Sequence, residues 1–456
     1  MLSQMIRPAS RAPFAGAAAL LMSFLFACGG GGSNGSGTGA LPSTPPLPPP
    51  TRGKYFTHIV IVVQENRTFD NLFATFPHAD GTRTGELHDG TRYRLQQHDL
   101  YDTISPLNDH LTWSTAYNNG AMNGFDLIRD GPYPGTALYQ YVNPAQVQPY
   151  WTLAKQYVLA DHLFQTQGTG SFTAHQDLIA GGALVSKTTS LIDFPAQPPW
   201  GCDAPQGTLT TLITARNEYL PNDGPFPCLT YRTLRDTLDA KGITWRYYTP
   251  VLGRSIGGDY WNAFEAIAAV RHGTEWSTNV ISPETRVFQD IANDRLPSVS
   301  WIIPDFANSD HPAAPSDTGP SWVAQVVNAI GASPAWSSTA IIIVWDDWGG
   351  WYDHVKPPGL YRFGGLGFRV PMLVVSPFAK RGYIARNIYE FGSIVQFVED
   401  NWKLPRLGTT DVTAGSFIGE AFDFTQPPRS FVRVAAPYSR EFFERQRPSN
   451  RPVDAQ

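Results

Sequence analysis

Short, nearly continuous apolar runs alternate along this chain with segments of helical periodicity. The runs are too short for typical helices and are rich in β-branched residues, so they predict buried strands. The predicted strands are His58–Val63, Ile243–Tyr248, Val299–Ile303, Ile341–Val344 and Val370–Ser376. The predicted helices include Thr230–Ala240, Trp322–Ile330 and Ser393–Trp402. Strands that are apolar on both faces occur where helices cover both sides of a sheet. The pattern therefore predicts an α/β protein of three layers, α/β/α, with a mostly parallel central sheet.

The amino-terminal segment has the pattern of an export signal. Arg7 and Arg11 precede an apolar run over 14–27, which ends in Leu25-Phe26-Ala27-Cys28. This resembles a bacterial lipoprotein signal over 1–27, with Cys28 as the acylated first mature residue. An ordinary cleaved secretory signal is the alternative. The run is too short for a typical membrane-spanning helix and ends in glycines. We expect export and lipid anchoring to the bacterial envelope, in the periplasm or at the outer membrane.

Composition separates a tether from a folded domain. Residues 28–53 are rich in Gly, Ser and Pro and predict a disordered tether, and residues 54–456 predict the folded domain. The chain of 456 residues is 42% hydrophobic and has 13 tryptophans, so it can bury a large core. Its 34 basic and 39 acidic residues give a net charge of −5, without a long basic run. This argues against nucleic-acid binding.

Two cysteines remain once Cys28 is assigned to lipid. Cys202 and Cys228 lie in Pro- and Gly-rich segments with little hydrophobic periodicity. In an oxidising compartment they predict a disulfide that closes this loop. Two free, buried thiols are the alternative.

Polar residues whose oxygens could bind a metal follow three of the predicted elements. Asp346 and Asp347 come directly after the Ile341–Val344 strand, where two adjacent carboxylates repel each other unless a cation neutralises them. An ordinary turn, with one aspartate capping a helix and the other solvated, is the alternative reading.

The other two elements contribute Glu65 with Asn66, after the first strand, and Ser171, after a Gly-rich turn at the start of a helix. Ser171 could instead be only a helix cap. Together the five residues suit one divalent cation, whose identity the sequence leaves open, and a bound metal would activate the serine hydroxyl.

Three histidines lie in loops near the ends of different predicted strands. They are His110, His311 and His354. A single histidine in a loop is usually structural or solvated. Three of them near strand ends suit phosphoryl transfer, which needs donors around the phosphoryl oxygens and an acid for the leaving group.

Several motifs, taken together, resemble the bacterial phosphoesterase family of phospholipases C and acid phosphatases. The matching motifs are VVQENRTFD at Val62–Asp70, His110, the M-x-G-F run at Met122–Phe125, Ser171, VSWIIPD at Val299–Asp305, WDDWGGWYDHVKPP at Trp345–Pro358 and FRVPMLVVSPFAKRG at Phe368–Gly382. The resemblance spans Tyr55 to about Phe424 and identifies 54–456 as a phosphoesterase domain.

The resemblance implies an alkaline-phosphatase-like fold and a hydrolase that acts on phosphoric ester bonds through a phosphoserine intermediate. Its metal ligands would be Glu65, Asn66, Ser171, Asp346 and Asp347, with Ser171 also the nucleophile. His110 and His311 would contact the phosphoryl oxygens or protonate the leaving group. His354 matches the family motif and would act at the site, for example by holding Asp346 or Asp347 in place.

The chain also departs from the family pattern. Family members commonly have G-P-S-x-P-N-H/R around the nucleophile, where this chain has T-G-S-F-T-A-H at Thr169–His175. An adjacent histidine pair typical of the acid phosphatases is absent from the sequence. A phospholipid and a small soluble phosphoester therefore both stay open as substrates.

Two rival functions follow from these departures. A cell-surface binding protein could keep the fold and the metal without turnover. A sulfatase-like hydrolase would need a C/S-x-P-x-R frame, which Ser171–His175 lacks.

Overall fold

A central sheet of eight strands organises the protein in the computed structural model, which describes residues 44–101, 104–129, 132–253, 257–312, 314, 316–359 and 362–449. The strands of the described residues are β1 (His58–Gln64), β2 (Thr84–Glu86), β3 (Arg92–Arg94), β4 (Gln96–His98), β5 (Gln140–Val142), β6 (Val158–Ala160), β7 (Thr189–Ile192), β8 (Thr211–Thr214), β9 (Tyr219–Leu220), β10 (Trp245–Tyr248), β11 (Val280–Ile281), β12 (Val299–Ile302), β13 (Thr339–Trp345), β14 (Met372–Val375) and β15 (Tyr383–Ala385). All five predicted strands are present, and none of their ends shifts by more than two residues.

The central sheet has the order β11-β10-β12-β1-β13-β14-β6-β15. Neighbouring strands are parallel, except that β14 runs antiparallel to both β13 and β6. The mostly parallel sheet predicted from the apolar runs is therefore confirmed. Every residue of β1 and β13 is buried, as expected for central strands covered on both faces.

Helices form the outer layers of the fold. The α-helices of the described residues are α1 (Phe69–Phe73), α2 (His110–Tyr117), α3 (Gln148–Gln156), α4 (Ser171–Ala180), α5 (Leu234–Asp239), α6 (Gly257–Tyr260), α7 (Ala268–Arg271), α8 (Glu275–Thr278), α9 (Arg286–Ala292), α10 (Gly319–Gly331), α11 (Phe391–Trp402), α12 (Ile418–Ala421) and α13 (Arg440–Arg445). Helix α10 packs against α3, α9 and α13, whereas α4 packs against α5 and α11. The three-layer α/β/α class predicted from the sequence is thus the observed fold. None of the helices in the described ranges is both long and apolar enough to cross a bilayer.

Helix α5 is shorter than predicted at its amino end. The predicted helix begins at Thr230, but the observed helix begins at Leu234. The Asp236 carboxylate accepts a hydrogen bond of 2.8 Å from the backbone N–H of Thr233. This capping contact ends the preceding loop and starts the helix at the next residue.

The Pro- and Gly-rich middle of the chain contains a small antiparallel sheet of β7, β8 and β9. The predicted disulfide is confirmed, because Cys202 and Cys228 are bonded to each other. Backbone hydrogen bonds from Cys202 N to Glu265 O and from Leu229 N to Ala266 O join both ends of the loop to one neighbouring segment. The loop is therefore fastened to the domain beside the disulfide.

The end of the predicted tether lies against the domain. The Thr51 N–H donates to Ser298 Oγ at 2.8 Å, and the Trp402 indole donates to Thr51 O at 2.8 Å. Arg246 also donates to Pro45 O. The expectation of a disordered tether is thus wrong for residues 44–53, because backbone groups there have partners on the domain. Cys28 and the predicted signal over 1–27 lie outside the described residues.

Candidate active site

Two neighbouring central strands end at the same point. Strands β1 and β13 are parallel, and their register places Gln64 opposite Trp345. The next residues are Glu65 and Asn66 on one strand and Asp346 and Asp347 on the other, so these four side chains are brought to one edge of the sheet. The Asn66 N–H donates to Asp346 Oδ1 at 2.8 Å. The adjacency of the two predicted acidic motifs is therefore a consequence of strand pairing.

Ser171 joins these residues from helix α4. Gly170 precedes the helix and lies against the ring of Phe194, where a Cβ would come within 2.0 Å of Phe194 Cζ. Ser171 Oγ lies 2.9 Å from Asp347 Oδ2 and 3.3 Å from Asn66 Oδ1. The helix amino terminus thus presents the hydroxyl to the ends of both strands, and the five predicted ligands share one site.

The three carboxyl groups of the site have strongly perturbed titration. Glu65, Asp346 and Asp347 are fully buried. Burial is the main cause that raises the pKa of each group well above its ordinary value, and the negative charge of one neighbouring carboxylate in the cluster raises it further. A cation would reverse this effect because it favours the ionised forms.

The oxygen atoms of the site fit a bound cation. Glu65 Oε2 and Asp346 Oδ2 are buried and have no hydrogen-bond partner among the described residues. Buried polar atoms normally have partners, and buried carboxylates commonly coordinate metals. Carboxylate, amide and hydroxyl oxygens are ligands that bind divalent cations. The donor set and its unpartnered oxygens therefore fit the single divalent metal predicted from the sequence.

Two side chains at the site lie outside the predicted set. His175 Nε2 is 3.0 Å from Glu65 Oε1 and 3.6 Å from Asp346 Oδ2. Burial lowers the pKa of His175 to about 4, so the ring is neutral near neutral pH. Asn108 Nδ2 donates to Asp347, at 3.0 Å from each carboxylate oxygen. The sequence could have pointed to His175, because it lies four residues after Ser171, which is about one helical turn. For Asn108 the sequence offers only its closeness to His110.

His110 lies beside the turn that carries Ser171. Its Nδ1 donates to Gly168 O at 2.8 Å, and its ring stacks on Trp113 and Tyr219. Because a carbonyl oxygen only accepts, Nδ1 carries a proton. Burial lowers the pKa of His110, which favours the neutral ring and leaves Nε2 as an acceptor.

Asp193 supports His110 from the small antiparallel sheet. Its carboxylate accepts from the His110 backbone N–H at 2.7 Å and from Tyr219 OH at 2.9 Å. Burial and the charge of Asp109 raise the pKa of Asp193 to about 7. No pattern in the sequence pointed to Asp193, because its partners come from segments that are distant along the chain.

His311 lies on the loop after β12. Its ring packs against Trp261 and Phe306, and its Nδ1 donates to Pro312 O. The same loop meets the end of β1, where the Glu65 N–H donates to Ser309 O at 2.8 Å. His311 is therefore on a loop that borders the site.

His354 occupies a different cluster. Its Nδ1 is 2.6 Å from Asp70 Oδ2, and its Nε2 is 3.4 Å from Asp80 Oδ1. The expectation that His354 holds Asp346 or Asp347 in place is wrong, since these bonds go to Asp70 and Asp80. The chain turns away from β13 after the two glycines, which carries His354 to helix α1.

Fold and site together define a three-layer α/β protein with a serine and a buried carboxylate cluster at the ends of parallel strands. The model of the Phosphoesterase family matches residues 56–405, which is most of the chain. The chain belongs to the Phosphoesterase family. This membership makes it an enzyme of the hydrolase class that acts on phosphoric ester bonds.

Similar proteins include named phospholipases C. Phospholipase C A of Mycobacterium tuberculosis is 24% identical over 440 residues, with 82% of this chain and 78% of that protein covered. The non-hemolytic phospholipase C of Burkholderia pseudomallei is 25% identical over 447 residues, with 83% of this chain and 60% of that protein covered.

The similarity to solved structures is weaker. A protein of the alkaline phosphatase superfamily from Vibrio parahaemolyticus has a TM-score of 0.39 and 11% identity, with 80% of this chain and 72% of that chain covered. Murine ectonucleotide pyrophosphatase/phosphodiesterase 5 has a TM-score of 0.38 and 8% identity, with 80% of this chain and 100% of that chain covered. The fold assignment rests on the sheet topology itself.

Proposed function

We propose that this protein is a metal-dependent phospholipase C-like phosphodiesterase that works through a phosphoserine on Ser171. The observation that carries the proposal is the position of Ser171 Oγ, 2.9 Å from Asp347 Oδ2 at the amino end of helix α4. A helix amino terminus favours anions, and a hydroxyl there is well placed to meet a phosphate group. A mere helix cap would not need the buried carboxylates around it.

The metal would be held by Glu65, Asn66, Ser171, Asp346 and Asp347. A divalent cation in such a site lowers the pKa of a hydroxyl and neutralises negative charge on phosphoryl oxygens. The unpartnered oxygens of Glu65 and Asp346 support this assignment.

The protein's own groups divide the reaction into two displacements. Ser171 Oγ loses its proton and forms a bond to phosphorus while the bond to the leaving alcohol breaks, and that proton ends on the alcohol oxygen. Water then forms a bond to phosphorus as the bond to Ser171 Oγ breaks, and the serine regains its proton. The attacking water must lose a proton, and we assign its acceptance and its return to Ser171 Oγ to Nε2 of His110, whose ring is oriented by Gly168 O. His311 stays a prediction as a contact to the phosphoryl oxygens.

We propose a phospholipid as the substrate class. The named phospholipases C that align with more than four fifths of this chain support a lipid phosphodiester over a small phosphomonoester. The lipoprotein-like signal supports export and anchoring through Cys28, which would hold the enzyme next to lipid. The disulfide agrees with an oxidising compartment.

The decisive experiment compares Ser171→Ala with the wild-type chain on phosphatidylcholine, p-nitrophenyl phosphorylcholine and p-nitrophenyl phosphate, before and after chelation. We expect hydrolysis of the two diesters by the wild type and its loss on chelation. Ser171→Ala should lower kcat by about 10³-fold or more, because the nucleophile is removed.

Thr173→Val is the matched control, since it removes a hydroxyl from the same helix. Thr173 Oγ1 donates to Asp193 O instead of facing the carboxylates. We expect this variant to stay within about tenfold of the wild type. Equal activity of Ser171→Ala and the wild type would refute the nucleophile. A wild type that binds metal but hydrolyses none of the three esters would favour the binding-protein alternative.

A further inference from the structure

His175 brings a nitrogen atom to the buried carboxylates from the same helix face as Ser171. The two residues are one turn apart in α4, which directs both side chains to the same side. Ser171 reaches Asp347 and Asn66, and His175 reaches Glu65 and Asp346. The helix thus contributes two potential ligands to one cluster.

A hydrogen bond alone leaves much of this cluster unsatisfied. One proton on His175 Nε2 can serve Glu65 Oε1 at 3.0 Å. Glu65 Oε2 and Asp346 Oδ2 then still have no hydrogen-bond partner among the described residues, although both are buried. A cation that contacts both carboxylates and the Nε2 lone pair would satisfy all three groups at once. The buried, enclosed position of His175 also allows no bulk solvent to compete for that nitrogen.

From this geometry we infer that His175 is a further metal ligand and that it sets the metal preference of the site. The inference rests on the metal centre of the proposed function. Oxygen ligands alone suit Mg²⁺, Ca²⁺ and Mn²⁺, whereas an imidazole ligand favours Zn²⁺, Fe²⁺ and Co²⁺. The site therefore selects a transition metal such as Zn²⁺ over Mg²⁺ or Ca²⁺.

The test examines the metal's ligands directly, without relying on turnover. The full chain is stripped of metal and reloaded with one equivalent of Zn²⁺, and the zinc K-edge X-ray absorption fine structure is recorded. We expect outer-shell scattering from one imidazole in the wild type and its loss in His175→Gln. His272→Gln is the matched control, because it makes the same change at an exposed histidine and should keep the imidazole signal.

Affinity measurements separate ligation from a general loss of structure. His175→Gln should weaken Zn²⁺ binding by about 10- to 100-fold or more while Mg²⁺ and Mn²⁺ binding changes only a few-fold. An oxygen-only zinc shell in the wild type would overturn the role of His175 and leave the proposed function standing, and this reading does not depend on how the variant folds. Failure of the wild type to bind any divalent metal would overturn both the inference and the metal dependence in the proposed function.

Discussion

At the scale of the residue, His354 lies in a cluster of charged side chains next to helix α1. Its ring contacts Asp70 and Asp80, and the buried guanidinium of Arg369 lies 3.3 Å from Nδ1 while it also pairs with Asp353. Burial lowers the pKa of His354, but the hydrogen bond and charge of Asp70 outweigh it and raise the pKa to about 8. The charged imidazole is thus stabilised by folding, and its contribution depends on pH.

This pKa predicts a loss of stability as the pH rises. The folded pKa of about 8 lies above the unfolded value near 6.5, so the stabilisation is complete below about pH 6.5 and lost as the pH passes 8. We expect His354→Gln to lower the free energy of unfolding by about 1–2 kcal/mol at pH 6 and much less at pH 9. Denaturant unfolding across this range checks it, with His272→Gln as the control. A destabilisation by His354→Gln that is equal at both pH values would contradict the ion pair.

At the scale of the element, the turn after β13 orients the Asp347 side chain towards the site. Gly349 has a φ of 60°, and its N–H donates to Asp347 Oδ1 at 2.6 Å. A Cβ at this position would come within 2.1 Å of Asn66 O. The turn therefore needs glycine both for its left-handed backbone and for its close approach to β1.

Gly349→Ala should lower metal binding and activity by more than its backbone strain alone would. Gly242 has a similar φ of 64°, but a Cβ there would meet nothing within 4 Å, so Gly242→Ala isolates the backbone strain of about 1 kcal/mol. We expect Gly349→Ala to lower divalent-metal affinity and kcat by about tenfold or more, because the clash displaces Asn66 and Asp347. Calorimetric metal titration and ester hydrolysis measure both variants. Equal, small effects of the two substitutions would show that the close approach does not matter.

At the scale of the whole molecule, the disulfide holds a long excursion against the domain. Cys202 and Cys228 are 26 residues apart, and the enclosed segment carries β8 and β9. Tyr219 of β9 stacks on His110 and donates to Asp193. The covalent link therefore constrains a segment that reaches the surroundings of the site.

Reduction should lower global stability. Closing a loop of this length contributes about 3 kcal/mol by restricting the unfolded chain. We expect a lower Tm in the presence of a thiol reductant, and the Cys202→Ala/Cys228→Ala variant should unfold at that same lower temperature with or without reductant. Thermal unfolding of both proteins checks this. A reductant effect of equal size in the variant would assign the loss to something other than the disulfide.

Features that depend on neighbouring residues in the chain were predicted correctly, whereas features that depend on contacts between distant segments were not. The apolar runs located β1, β12 and β13 because a buried strand requires apolar residues whatever its neighbours are. The Gly-rich turn likewise located the start of α4. The antiparallel direction of β14 had no comparable signal, because a short buried strand reads the same in either direction.

The site residues divide in the same way between those that local sequence predicts and those that depend on distant segments. Asp346 and Asp347 could be expected at a strand end from adjacent residues alone, as could Glu65 and Asn66. His175 lies four residues after Ser171, and His354 lies seven residues after Asp347. Only His175 faces the buried carboxylates. Asp193 and Asn108 contact the site from segments with no distinguishing pattern.

The sequence by itself determined five of the eight strands of the central sheet, the layered fold class and the oxygen-bearing residues at the strand ends, because each depends on periodicity or on neighbours in the chain. Only the tertiary structure decided which histidines meet those residues. Strand order and register bring Glu65 beside Asp346, the helical rise brings His175 to both, and the turn after Gly350 carries His354 away. Contacts between distant segments depend on how the elements pack, and a local pattern does not contain that information.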